Sequence, residues 1–175
     1  MIRCAFNSHA AGLKTPAFGV QIAQDGGCSN VNILSSNFDM YRVTGAHVRL
    51  LKTCKGFTFV GNYIEGRDDG TTDNLVILME GDGVLISGNR LTAAGSNIDY
   101  NIQVQAMATG VTITGNYFEG AQVACVRIGN GASNVFVAGN ATNGVMQVKN
   151  QNPNGSKRAT VIEDGVVTTD NVVTS

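Results

Sequence analysis

The chain has 175 residues and a mass of 18.3 kDa, enough for one domain with a real hydrophobic core. Twelve Lys and Arg against 13 Asp and Glu give a net charge of −1, which excludes the basic excess of a nucleic-acid or polybasic membrane binder. Twenty-two Gly, two Pro, no Trp and 43 % hydrophobic residues exclude collagen, disorder and a long-helix bundle, so a chain rich in Val, Ile, Asn and Thr is expected to be all-β.

From the N-terminus, Met1 to Asn7 lacks the layout of a signal peptide, and Ile2-Arg3-Cys4-Ala5-Phe6-Asn7 reads as half a copy of a repeat. No run approaches the ~18 apolar residues that span a bilayer, so no membrane insertion is expected. Five gapless copies follow: Asn30 to Phe38, Gly56 to Ile64, Gly83 to Leu91, Gly110 to Phe118 and Asn134 to Thr142. A sixth, weaker copy is read at Gly165 to Val173. The first apolar position falls at Val31, Phe57, Val84, Val111, Val135 and Val166, in steps of 26, 27, 27, 24 and 31 residues. Such periods belong to solenoids.

Within each copy apolar and polar residues alternate, which means strand. A Gly-Asn pair interrupts the alternation where a left-handed backbone would bend the chain. A further strand lies nine residues before each first apolar position, at Ile22, Val48, Leu75, Ile102 and Val126. Three short strands per winding describe a right-handed parallel β-helix of about six coils, a rod roughly 30 Å long at the ~4.8 Å strand spacing. The whole chain, 1–175, is expected to be one such domain, with coils over about 20–148 and an irregular last coil or cap over 149–175, which Met146 would open. Stacking would place Asn62, Asn89, Asn116 and Asn140 in one column, their amides bonding along it. A β-sandwich or propeller would place turns every 8 to 12 residues without repeating one particular turn at each ~27-residue step.

On these copies, above all Phe57 to Gly66 and Val111 to Gly120, the sequence resembles the pectin-lyase-like right-handed β-helices, and most of all bacteriophage tailspike or tail-fibre segments. The resemblance covers about residues 20–148. That group contains polysaccharide lyases, hydrolases, epimerases and non-catalytic adhesins, so the fold alone does not choose an activity. It implies a receptor-binding homotrimer with a host surface polysaccharide as ligand, and a place on the virion tail or outside the cell after synthesis in the cytoplasm; the alternatives are a polysaccharide-degrading enzyme and a purely structural trimeric rod. No cofactor is implied.

In that group the substrate face is usually the outward side of the first strand of each winding. Here it would carry His47 and Arg49, Asn74, Asn101 and Gln103, and Arg127, with Tyr41 and Tyr100 on adjoining loops to stack on pyranose rings. The loops after Phe38, Ile64 and Leu91 are the expected protrusions, and variable loops on a rigid scaffold often carry function. Glu65 and Glu119 hold equivalent positions two windings apart, about 9.6 Å, near the wide limit for an inverting carboxylate pair. Their other reading is as acceptors for turn N–H groups. Asp68 and Asp69 are further candidate acids, and with Asp73 they offer oxygen ligands in no calcium-loop spacing. With four Cys, no C-x-x-C pair and only His9 and His47, no metal site is expected. Cys28 and Cys54 fall on neighbouring windings within disulfide reach, and are expected as reduced thiols if the chain matures in a cytosol. An outward apolar strip of Leu34, Val60, Leu85 and Phe136 on the second strands suggests a subunit contact.

Overall fold

A computed structural model describes residues 5–8, 18–22, 28–43, 45–68, 74–94, 98–143, 148–151, 159–163 and 166–169. Every element described is a strand, and the strands form three sheets that the chain visits in rotation. In the winding over 46–68 the first strand is Ala46–Leu50, the second Cys54–Val60 and the third Tyr63–Asp68. Each strand pairs in parallel with its counterpart one winding away. The chain is a parallel β-helix.

Its regular part amounts to about four turns, over 46–68, 74–93, 98–119 and 124–142. The expected count was about six, and the difference lies at the two ends. In the winding before residue 46 the second strand is split into Cys28–Ser29 and Asn32–Leu34. At the other end the strand stacked on Ser133–Ala138 is Ala159–Glu163, not the copy expected at Gly165 to Val173. Val166–Thr169 instead folds back antiparallel on Ala159–Glu163. Ala159 lies 24 residues after Val135, the same step as the winding before.

Inward side chains stack in columns. Phe38, Ile64, Leu91 and Phe118 form one in the third sheet, all fully buried. In the second sheet Phe59, Ile86, Ile113 and Val137 form another, and Phe38 meets Phe59 with ring centroids 5.6 Å apart. Parallel stacking makes every inward position a neighbour of its own kind, which is why the apolar residue recurs at each step.

The corner between the second and third sheets is fixed by backbone chirality and amide bonding together. Gly61, Gly88, Gly115 and Gly139 have φ between 61° and 66°, a region that costs glycine nothing. Ser35 holds the same slot with φ 49°. The next residue is the ladder asparagine. Asn89 donates from its main-chain N–H (3.0 Å) and its Nδ2 (2.9 Å) to Asn116 Oδ1, while Asn116 Nδ2 donates to Ile86 O at 3.0 Å. The same pattern links Asn62 to Asn89 and Asn116 to Asn140, and at the end of the column Ser36 N–H donates to Asn62 Oδ1 at 2.8 Å. A main-chain N–H can only donate, so each amide has one orientation.

The first sheet departs from the expected register. Its columns run Val20, Val48, Ile77, Ile102, Val126, Val148, so Ile22 and Leu75 sit two residues from their expected places and Val148 takes the place read for Met146. The corner from first to second strand explains the shift at Leu75. In three windings a tight turn fills it, with N–H donated by Cys54 to Leu51 O (2.9 Å), Ala108 to Gln105 O (3.1 Å) and Ala132 to Gly129 O (3.1 Å). In the winding over 74–93 only Glu80 and Gly81 separate the strands Asn74–Met79 and Asp82–Ser87, and Gly81 cuts the corner. An added Cβ at Gly81 would lie 2.9 Å from Cys54 O, so the shorter path needs glycine.

Two stability measurements check the corner. Asn116 is 1 % exposed, and Asn116→Ala leaves Asn89 N–H and Ile86 O buried without partners, so it is expected to destabilise by about 3–5 kcal/mol. The half-buried Asn140→Ala should cost about 1–2 kcal/mol, and urea unfolding midpoints compare the two. Ser35→Gly should stabilise by roughly 0.5–1 kcal/mol in the same assay, because it relieves a left-handed backbone at a non-glycine residue.

Candidate functional site

With Ile64, Leu91 and Phe118 pointing inward, their neighbours in the third sheet face outward. One outward column runs Asn37, Tyr63, Arg90, Tyr117, Ala141, and the column beside it runs Asp39, Glu65, Thr92, Glu119. The Arg90 guanidinium carbon lies 5.8 Å from the Tyr63 ring centroid and 5.6 Å from that of Tyr117. An Arg90 guanidinium nitrogen is 3.2 Å from Glu119 Oε2, and Asn143 Nδ2 donates to the other oxygen of that carboxylate at 3.4 Å. Tyr63 O–H donates to Glu65 Oε2 at 2.9 Å.

Glu65 and Glu119 are therefore brought onto one face, two strands apart, but they do not share an environment. Glu65 accepts a phenol, and Glu119 faces a guanidinium. The Tyr63 phenol is held above its ordinary value of 10.0, first by burial and then by the hydrogen bond and charge of Glu65, with Arg90 opposing. Asp68 closes the strand Tyr63–Asp68, and Asp69 and Asp73 lie outside the described residues. Among the described residues no group of three or more His, Cys, Asp or Glu is placed to hold a metal ion.

The first sheet is not the open polar strip that the sequence suggests. His47 is fully buried, and a Cβ added at Gly66 would lie 2.7 Å from its ring, so third strand and imidazole are in close contact. Asn101 is also buried, with Nδ2 donating to Leu91 O (3.2 Å) and Glu119 O (3.1 Å) and so tying two third strands to the first sheet. Its Oδ1 accepts no hydrogen bond. Arg49 pairs with Glu80 at 2.9 Å. Arg127 donates twice to Gln151 Oε1, at 3.1 and 2.9 Å, and its guanidinium carbon lies 5.3 Å from the Tyr100 ring centroid.

Tyr100 lies in the strand Ile98–Val104 and is 6 % exposed, not on a loop. Gln103 is nearly buried and registers with Arg127. Asn74 registers with Ile98, outside the column expected for it. Tyr41 belongs to the strand Asn37–Val43, so the segment after Phe38 is not a protruding loop. For His47 and Asn101 the cause is shared: they pack against the third strands, and the angle between the two sheets closes over them.

Sequence reasoning overlooked Tyr63, Arg90 and Tyr117. The signal was available, since each directly follows the ladder asparagine of its copy. The apolar strip of the second sheet is also rearranged. Leu34 and Val60 share a column continued by Ser87, Thr114 and Ala138, whereas Leu85 and Phe136 alternate with Thr58 and Thr112 in the other.

No family model matches the chain, and no curated protein or solved structure matches it.

The tyrosine gives a titration. The fold favours the neutral phenol, so the native state holds this proton more tightly than the unfolded chain. The stability it contributes is complete below pH 10.0 and is lost as pH rises through the raised native value. Ultraviolet phenolate titration should show Tyr63 ionising later than Tyr in the unfolded chain. Glu65→Gln should move it back down and Arg90→Ala further up; no response to either change would contradict the coupling.

Proposed function

We propose that the chain is a glycan-recognising β-helix segment of a phage-type, receptor-binding tailspike in the pectin-lyase-like group, with host surface polysaccharide as ligand. The observation that carries this reading is the outward column Tyr63, Arg90, Tyr117 with Glu65 and Glu119 beside it. Amphipathic rings offer a surface to the apolar faces of sugars, while carboxylate groups bond hydroxyls, and the solenoid holds them at a repeating spacing suited to a repeating polymer. The reading assigns ligand binding to this third-sheet face, and its support is that Arg49 and Arg127 are engaged by Glu80 and Gln151. The context is a virion tail, and the assembly a homotrimer. Leu34 and Phe136, 43 % and 38 % exposed on the second sheet, are the residues offered to neighbouring subunits.

A second reading is a polysaccharide hydrolase or lyase. Its support is the placement of Glu65 and Glu119 in one column two strands apart, about 9.6 Å between backbones, near the upper end of an inverting pair. Incubation with host capsular or lipopolysaccharide chains separates the two: an adhesin co-sediments with the polymer, and a catalyst releases oligosaccharides.

Binding tests the site. Replacing Tyr63 and Tyr117 together by Ala should weaken polysaccharide affinity roughly tenfold, about 0.7 kcal/mol per ring, in titration calorimetry. The Arg49→Ala, Arg127→Ala pair should leave it within about twofold. The reverse pattern would move the ligand to the first sheet.

A further inference from the structure

The third-sheet face already holds a cation, and that cation belongs to the chain. Arg90 lies between two phenol rings at 5.8 and 5.6 Å, with the Glu119 carboxylate 3.2 Å from one of its nitrogens. Glu65, one column over, is bonded to the Tyr63 hydroxyl. Ring faces carry negative quadrupole potential, so two rings and two carboxylates make a cradle for positive charge. The Arg90 side chain is 57 % exposed, so its ion pair is screened by water and its position is weakly held. A long, exposed arginine in such a place acts as a displaceable occupant.

We infer that this cradle recognises the ammonium group of an amino sugar in the polysaccharide, which takes the place of the Arg90 guanidinium between Tyr63 and Tyr117. The inference rests on the proposed glycan-binding function and gives it a substrate class. A uronate would bring its carboxylate toward Glu65 and Glu119, whose like charge opposes it. An ammonium group gains both ring faces and a carboxylate. Arg90 is then a competitor of the ligand, not a contact for it, and this sets the role of the arginine apart from its usual one in sugar sites.

The test uses the full chain and three soluble probes in titration calorimetry: glucosamine oligomers with free amino groups, their N-acetylated counterparts, and oligogalacturonate. The free-amine oligomer should bind at least tenfold more tightly than the N-acetylated one, and oligogalacturonate should bind least. Arg90→Ala should raise affinity for the free amine several-fold, and Glu119→Gln should lower it. Raising the pH through the titration of the sugar ammonium should abolish the preference. Both positions are partly exposed, and thermal unfolding of each variant verifies the fold. Loss of amine binding in Arg90→Ala, or preference for the uronate, would overturn the substrate class while leaving glycan recognition in place. Binding of none of the three probes overturns the substrate class; if host polysaccharide also fails to bind, glycan recognition falls with it.

Discussion

The amide column at the corner between the second and third sheets sets the vertical alignment of the solenoid. Asn89, Asn116 and Asn140 each accept two hydrogen bonds from the asparagine before, Asn62 accepts one from Ser36 N–H, and each of the four donates back to a carbonyl of the preceding winding. A winding displaced by one residue would bury an amide against nothing, at a cost of several kcal/mol in a buried site. The left-handed glycine before each asparagine makes the bend that lets the amide point inward. Neither half suffices alone: the glycine supplies the shape, and the asparagine supplies a bond that exists only when another winding is present.

Register fidelity falls with distance from that corner. Third strands begin one residue after the asparagine, so Tyr63, Arg90 and Tyr117 follow it directly and stack in register. First strands begin after connections of variable length, and their columns shift by two residues wherever a connection lengthens or shortens. The aligned Tyr-Arg-Tyr column is thus a consequence of its place beside the ladder. The face proposed to bind a repeating polymer is the one where the scaffold repeats most faithfully.

The two polar faces of the rod have different chemical characters. In the first sheet His47 and Asn101 are consumed by the angle with the third, and Arg49 and Arg127 are engaged by Glu80 and Gln151. These groups bind the chain to itself. In the third sheet Arg90 stays more than half exposed, with rings above and below and carboxylates beside it. Rings and carboxylates that remain open to solvent are what the proposed ligand needs, because their ordering cost is met in folding.

The sequence alone determined the parallel β-helix, the left-handed turn, the asparagine column and the inward residues of the second and third sheets, because each winding repeats the same environment and so repeats the same residue. It also aligned Tyr63, Arg90 and Tyr117, although nothing in the sequence said that their side chains would meet. Tertiary structure alone decided the register of the first sheet. Side-chain direction in a strand has a period of two, so a shift of two residues leaves the same side chains facing inward, and hydrophobic alternation cannot distinguish Leu75 from Ile77. It decided too that Ala159, and not Val166, continues the stack, and that His47 and Asn101 are covered. Those outcomes depend on how separate strands meet at an angle, and alternation along one strand carries no information about that angle.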